Sequence, residues 1–331
     1  MKRSILLIIL SIVTQALPAA ESLVIYSGRS DKLVKPVIDQ FSKETGIEVI
    51  LHAGKSPSLL SKLKLEGDRT SADLFLSNDA GTLETGRQLD LFQAVDSAIA
   101  ERIPANYRAE DNKWIGLAAR ARVLVINTNL VKPDQIKSVF DLADPAYKDK
   151  IGITPATNDS FIAGVTVYTE KLGEQKVTQW LKGVKHNAGN HVFEKHRAIV
   201  KDVAEGKLAV GLVNHYYIFR HLDNEPDAPI KMLLPDQGAS DIGIAWNVSG
   251  IAWVKHSHKK DSVNKLLDYL SSHQGQALLA RLNREYPVSA GVETDKVLPD
   301  PAGIKVADVP MAALGQQRNR SVDMIEALGM K

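Results

Sequence analysis

The sequence contains no cysteine. That absence removes disulfides, thiolate zinc sites, iron–sulfur clusters, cysteine nucleophiles and a lipidated N-terminal cysteine. Charge of one sign is also not in excess: 41 Lys and Arg stand against 39 Asp and Glu in 331 residues. A nucleic-acid binder normally carries a basic face, so no nucleic-acid partner is expected. Glycine (22) and proline (14) are not over-represented and no low-complexity tract occurs, as in an ordinary globular protein. Common enzyme signatures are missing too. There is no Gly-x-Ser-x-Gly elbow, no phosphate loop ending in Gly-Lys-Ser/Thr and no His-Glu-x-x-His pair. Gly28 stands almost alone after its strand, so a dinucleotide fingerprint fails.

Only one long apolar run is present, over residues 5–13, behind Lys2 and Arg3 and ahead of the small residues Ala16, Ala19 and Ala20. This is the layout of a secretory leader over residues 1–20, and the run is too short to span a bilayer. Without Lys2 and Arg3 the positive charges fall level with the 39 negative ones. Later stretches fall short of the roughly 18 apolar residues a spanning helix needs, so no stable membrane insertion is expected. Export without a cysteine for lipid attachment points to the periplasm of a double-membrane bacterium.

The length exceeds what one core usually supports, and two lobes of roughly 150 residues are expected. Residues 22–26 form a short buried strand. Leu33, Val34, Val37, Ile38 and Phe41 then make one apolar helical stripe, with Ser30 or Asp31 as cap, Gly46 as stop and Pro36 an awkward interior residue. Strands over 47–51, 72–76, 123–126, 151–153, 208–213 and 244–254 alternate with helices over 59–66, 83–89, 161–172, 175–183 and 261–279. Strands separated by helices at this pitch indicate an α/β fold built of parallel βαβ units. Ligands in such sheets sit beyond the carboxyl ends of strands. The loops to inspect are therefore 27–30, 77–80, 154–160 and 214–217.

No histidine pair has convincing ligand spacing. His186, His191 and His196 are five apart, which leaves one helix face, and His256 and His258 sit in a Lys-rich stretch. All five read as surface residues. Tyr216 and Tyr217 are different, because they follow the strand-like run Ala209 to Val213. Asn214 is a good N-cap for a helix starting there, and two adjacent phenols at a helix start can converge on one point. The alternative is that one tyrosine packs in the core while the other lies at the surface. A free phenol ionises near ~10, so phenolate at neutral pH requires a strong electrophile. A hard trivalent cation fulfils that role, and hard cations take oxygen donors, so paired phenolates without thiols suit ferric iron.

The chain also resembles a family along essentially all of its mature length. The resemblance is carried by Val24-Ile25-Tyr26-Ser27-Gly28-Arg29, Glu44-Thr45-Gly46-Ile47-Glu48-Val49, Ala72-Asp73-Leu74-Phe75 and Arg120-Ala121-Arg122-Val123-Leu124-Val125. To these are added Val213-Asn214-His215-Tyr216-Tyr217, Ser249-Gly250-Ile251-Ala252, Glu285-Tyr286-Pro287-Val288 and the terminal Leu328-Gly329-Met330-Lys331. It looks like the periplasmic ferric-iron-binding proteins, the bacterial transferrins that deliver iron to ABC importers. The resemblance favours the converging tyrosines. It implies a two-lobed type II periplasmic-binding fold whose crossing strands form the hinge, near 121–127 and 244–254. Lobe I would comprise 21–121 and 247–298, and lobe II 122–246 and 299–331.

The family's tyrosine ligands carry over to Tyr216 and Tyr217. Its histidine in the first loop and glutamate in the third do not, since Ser30 and Asn78 stand there. The third tyrosine some relatives use is also missing from Thr157-Asn158-Asp159-Ser160. Two phenolates leave much of a roughly six-coordinate sphere open, so a synergistic anion (carbonate, phosphate or citrate) is expected with the ferric cargo. Its candidate partners are Arg29, Ser30, Asn78, Arg120, Arg122, Thr157, Asn158, Ser160 and Asn214, with one of the three arginines reaching the cleft and the others in salt bridges. Asp79 or Asp159 is a candidate carboxylate, while His215 is expected to point away. A monomer partnered by an inner-membrane ABC permease and ATPase follows from the resemblance. Its rival is an importer-linked binder of an organic or anionic solute, thiamine- or phosphonate-like, without metal. An enzyme on the same fold lacks any nucleophile–base pair.

Overall fold

The computed structural model describes residues 22–330; residues 1–21, with the expected leader over 1–20, and Lys331 lie outside them. The chain begins with β1 (Ser22–Ser27), α1 (Asp31–Thr45), β2 (Glu48–Ala53), α2 (Ser56–Glu66), β3 (Leu74–Ser77), α3 (Ala80–Gln88), β4 (Phe92–Gln93) and α4 (Ser97–Ala100). The long β5 (Ile115–Asn127) leads to β6 (Ile151–Gly152), α5 (Asp159–Leu172), α6 (Glu174–Ala188), α7 (His196–Ala204), β7 (Val210–Asn214), α8 (Tyr216–Leu222) and β8 (Ile230–Leu233). It closes with β9 (Trp246–Val254), α9 (Lys260–Ser271), α10 (His273–Asn283), β10 (Tyr286–Pro287), α11 (Ala313–Gln316) and α12 (Arg318–Ala327).

Helix α1 forms as its apolar stripe predicts, burying Val34, Val37, Ile38 and Phe41. Gly46 ends it in the left-handed region at φ 74°, where a side chain would be strained. Pro36 is exposed and the helix runs through it. The stripe explains this: four buried apolar side chains outweigh the hydrogen bond that proline forfeits. The expected helix over 261–279 is instead two helices. Ser272 breaks it with extended backbone (ψ 161°), and its Oγ accepts from the Gly275 N–H to start α10. A side chain at Gly275 would place Cβ 2.1 Å from the Tyr269 carbonyl oxygen, so this tight junction needs glycine.

The strands run in the order β2-β1-β3-β9-β5-β7-β6. Pairs β1/β2, β1/β3 and β6/β7 are parallel, as βαβ spacing predicts. Strand β9 departs from that pattern by running antiparallel between β3 and β5. Strand β5 is fully buried and belongs to both halves of the sheet. Its first part pairs with β9 and β10, and its second part with β7 and β8. The local pattern marks only residues 123–126 of it, and the family resemblance places a crossing strand near 121–127. The stretch Gly116 to Arg122 is rich in alanine, glycine and arginine, which are poor strand formers unless tertiary packing overrides them.

These connections aim four loops at one place. The carboxyl ends of β1, β3, β6 and β7 open into the segments that carry Ser30, Asn78, Asn158 to Ser160, and Tyr216 with Tyr217.

Candidate metal centre

Tyr216 and Tyr217 open α8, one residue after β7 ends. Their ring centroids lie 4.4 Å apart with planes inclined by 35°. Tyr216 is buried and carries the Arg220 guanidinium 5.0 Å from its ring centroid, a cation–π contact one helical turn on. Tyr217 is half-buried, with its ring 5.0 Å from that of His196. Burial first, then the neighbouring Tyr216, pushes the Tyr217 phenol above its ordinary range.

Asn214 is not the helix cap that the sequence suggested. The residue before α8 is His215, already helical at φ −52°, ψ −43°. Asn214 ends β7, and its side chain ties the site together. Its Nδ2 donates to Ser160 Oγ at 3.0 Å and to the Tyr216 hydroxyl at 3.5 Å, while its Oδ1 accepts from Arg122 Nη1 at 3.4 Å. His215 points away, as expected. Its Nδ1 accepts from the Ala121 N–H at 3.1 Å and its ring lies 4.9 Å from that of Tyr286. Burial drives its pKa down to about 3, so it is a neutral strut.

Both tyrosines face a cavity of about 200 Å³ that Ser30, Asn78, Arg120, Asn158, Ser160 and Asn214 also line. Asn158 caps α5 by accepting from the N–H groups of Ser160 and Phe161. Asn78 donates through Nδ2 to the Gly28 carbonyl, which steadies the turn after β1. Asp159 lines the cavity as well, with its Oδ1 on Arg318 Nη2 at 2.6 Å. Burial, then the like charge of Asp79, raises its carboxyl above the usual range, and Arg318 opposes this.

Three expected partners lie elsewhere. Arg29 is buried; its Nη2 donates to both Glu285 carboxylate oxygens at 2.8 and 2.9 Å and its Nη1 donates to Ser249 Oγ. It anchors the β1 loop to β9 and to the segment before β10. Thr157 is exposed and outside the cavity, because the turn before α5 directs Asn158 and Ser160 inward instead. Arg122 sits one layer behind, with Nη1 3.5 Å from His196 Nδ1, and burial lowers its pKa to about 10. Arg120 is the arginine that reaches the cavity. Asp79 caps α3 through the Thr82 N–H and is not among the cavity-lining residues.

His196 corrects the surface reading. It is buried and lines the cavity beside Tyr217. Burial, then the charges of Arg122 and Arg120, holds it well below its ordinary pKa and therefore neutral. A signal for this was present, since His196, Ile199, Val200 and Val203 form one helical stripe and all four are buried. His186, His256 and His258 are exposed and His191 is half-buried. Among the described residues no group of three or more His, Cys, Asp or Glu gathers as a metal site. The hard oxygen donors lining the cavity are the phenols, hydroxyls, amide oxygens and the Asp159 carboxylate, beside the buried Arg120.

The profile of the bacterial extracellular solute-binding proteins matches residues 69–314. Iron uptake protein A1 of Synechocystis is 33% identical over 282 residues, covering 82% of this chain and 77% of that protein. The major ferric iron-binding protein of Neisseria meningitidis is 28% identical, covering 96% of each chain. Among solved structures, a Trichodesmium FutA (IdiA) in complex with iron and citrate ligands superposes with a TM-score of 0.83. It is 31% identical, and the alignment covers 94% of this chain and all of that one.

Proposed function

The chain belongs to the bacterial extracellular solute-binding proteins, among their ferric-iron-binding members with the two-lobed type II periplasmic-binding fold, and from this we propose that it captures ferric iron for an ABC importer. The observation that carries the reading is the side-by-side phenol pair at a cavity formed by loops from both halves of the sheet. Ferric iron is the cargo. Tyr216 and Tyr217 bind it as phenolates, because a trivalent ion offsets the cost of ionising two adjacent phenols, one buried and one half-buried.

A synergistic anion of the carbonate, phosphate or citrate class fills further coordination positions. Arg120 supplies its counter-charge, and Ser30, Asn78, Asn158, Ser160 and Asn214 offer hydroxyl and amide groups beside it. His196, being neutral, accepts or donates one hydrogen bond there without adding charge. The lobes, 21–121 with 247–298 and 122–246 with 299–331, close over the ion and create the shape that the inner-membrane permease and its ATPase recognise. The protein acts as a binder and not an enzyme, as a monomer in the periplasm, after removal of the leader over 1–20.

The test is colour. Ferric loading of the purified protein with bicarbonate or citrate should produce a visible phenolate-to-iron charge-transfer band. Tyr216→Phe and Tyr217→Phe should each weaken or abolish it. A colourless wild-type protein, free of metal by elemental analysis after loading, overturns the reading.

A further inference from the structure

Behind the cavity that holds the tyrosines lies a second one of about 10 Å³, walled by β5, β9 and α5. Its size suits one particle of about water size, a single water or a monatomic ion. Arg122 contributes from β5, Trp246 and Asn247 from β9, and Ala163 and Gly164 from α5; Arg120, Ser160 and Asn214 line both cavities. Arg120, Arg122, Asn214, Trp246 and Asn247 are only 4–8% exposed, and Ser160 is half-buried.

The chemistry of this wall is one-sided. Arg120 Nε, Arg122 Nε and Nη2, Trp246 Nε1 and Asn247 Nδ2 are all buried without a hydrogen-bond partner among the described residues. Every one of these atoms is a donor. The side-chain acceptors of the lining are already engaged: Asn247 Oδ1 takes the N–H groups of Ala80 and Val248, Asn214 Oδ1 takes Arg122, and Ser160 Oγ takes Asn214 Nδ2. Asp159 is the carboxylate that feels the Arg120 charge, and its Oδ1 is bound to Arg318. Two buried guanidiniums without a paired carboxylate are costly, and water satisfies hydrogen bonds without neutralising charge.

We propose that this hinge cavity binds one monatomic inorganic anion such as chloride between the crossing strands, held by Arg122, Trp246 and Asn247. This anion is separate from the one proposed beside iron, and it binds whether or not iron is present. Because its donors come from both β5 and β9, its occupancy braces the two strands against each other where the halves of the sheet join.

The experiment uses the iron-free protein, so failure of the ferric reading leaves it intact. Crystals grown with sodium bromide should show an anomalous peak against Arg122, Trp246 Nε1 and Asn247 Nδ2. In solution, at constant ionic strength with gluconate as the bulky replacement anion, Tm should rise by about 4 °C over a hundredfold increase in bromide once the site is filling. Asn247→Asp places a carboxylate where the anion would sit, and it should abolish the bromide dependence. Trp246→Phe, which removes a single donor, should weaken it and serves if the first variant does not fold. A bromide peak only beside the tyrosines, a water in the hinge cavity with Tm indifferent to bromide, or an Asn247→Asp protein with undiminished bromide dependence each overturns the proposal.

Discussion

Ferric loading of the wild-type protein should release one more proton than loading of Tyr217→Phe. An ordinary phenol titrates near ~10, so at pH 7 only about one in a thousand is ionised. Tyr217 lies higher still, because burial and then Tyr216 disfavour its phenolate. On the proposed phenolate ligation, loading ionises the phenols, so binding expels protons and strengthens as pH rises. Two expelled protons correspond to about a 100-fold change in affinity per pH unit below the phenol pKa, and one to about tenfold. A phenylalanine keeps the ring contacts, 4.4 Å to Tyr216 and 5.0 Å to His196, so only about 1 kcal/mol of stability is at stake. The assay is a pH-stat titration with one ferric–anion stock, in which subtracting variant from wild type cancels protons from the anion and from iron hydrolysis. The Tyr216→Phe variant should also release one proton fewer, and the double variant two. Equal release from wild type and Tyr217→Phe, with the visible band retained, would refute ionisation of that phenol.

Further outcomes follow from the packing. Glu285→Gln strips Arg29 of its carboxylate in a site where the two side chains are 3% and 1% exposed. It should cost about 3–5 kcal/mol and lower Tm by about 5 °C or more in a thermal scan, while the folded protein keeps its ferric colour. Gly250→Ala would set a Cβ 2.4 Å from the Ile115 carbonyl oxygen between β9 and β5. A destabilisation of about 1–3 kcal/mol is expected in urea unfolding. Arg318→Ala removes the 2.6 Å partner of Asp159 and leaves it facing Asp79, whose Oδ1 lies 3.9 Å from the same guanidinium. Because these carboxylates start helices on opposite halves of the sheet, ferric release to a competing chelator should accelerate about five- to tenfold. An unchanged release rate would remove any clasp role for Arg318.

Much of the architecture was legible because it is written in local patterns. The stripe of α1, the strand-to-helix alternation and the loops after β1, β3, β6 and β7 depend on residues within a few positions of each other. The two phenols after a strand end stand out in the same way, but their convergence on one point is favoured by the family resemblance and not by the local pattern. The misreadings have one common cause. Whether 261–279 is one helix or two turned on the Ser272 hydroxyl meeting the Gly275 N–H. The extent of β5 was hidden by arginines and alanines that only burial between β9 and β7 makes into strand. His196 looked like one of several surface histidines until α7 packed its stripe against the sheet.

By itself the sequence determined the fold class, the absence of thiol chemistry and which loops and phenols to watch, since periodicity and composition act over short range. Tertiary structure decided which polar side chains meet. Arg29 and Arg120 are indistinguishable as letters, yet Arg29 is claimed by Glu285, 256 positions away, while Arg120 is left facing the cavity. A guanidinium takes whichever carboxylate the fold brings within reach. That choice is a property of distances in space, which no local pattern encodes.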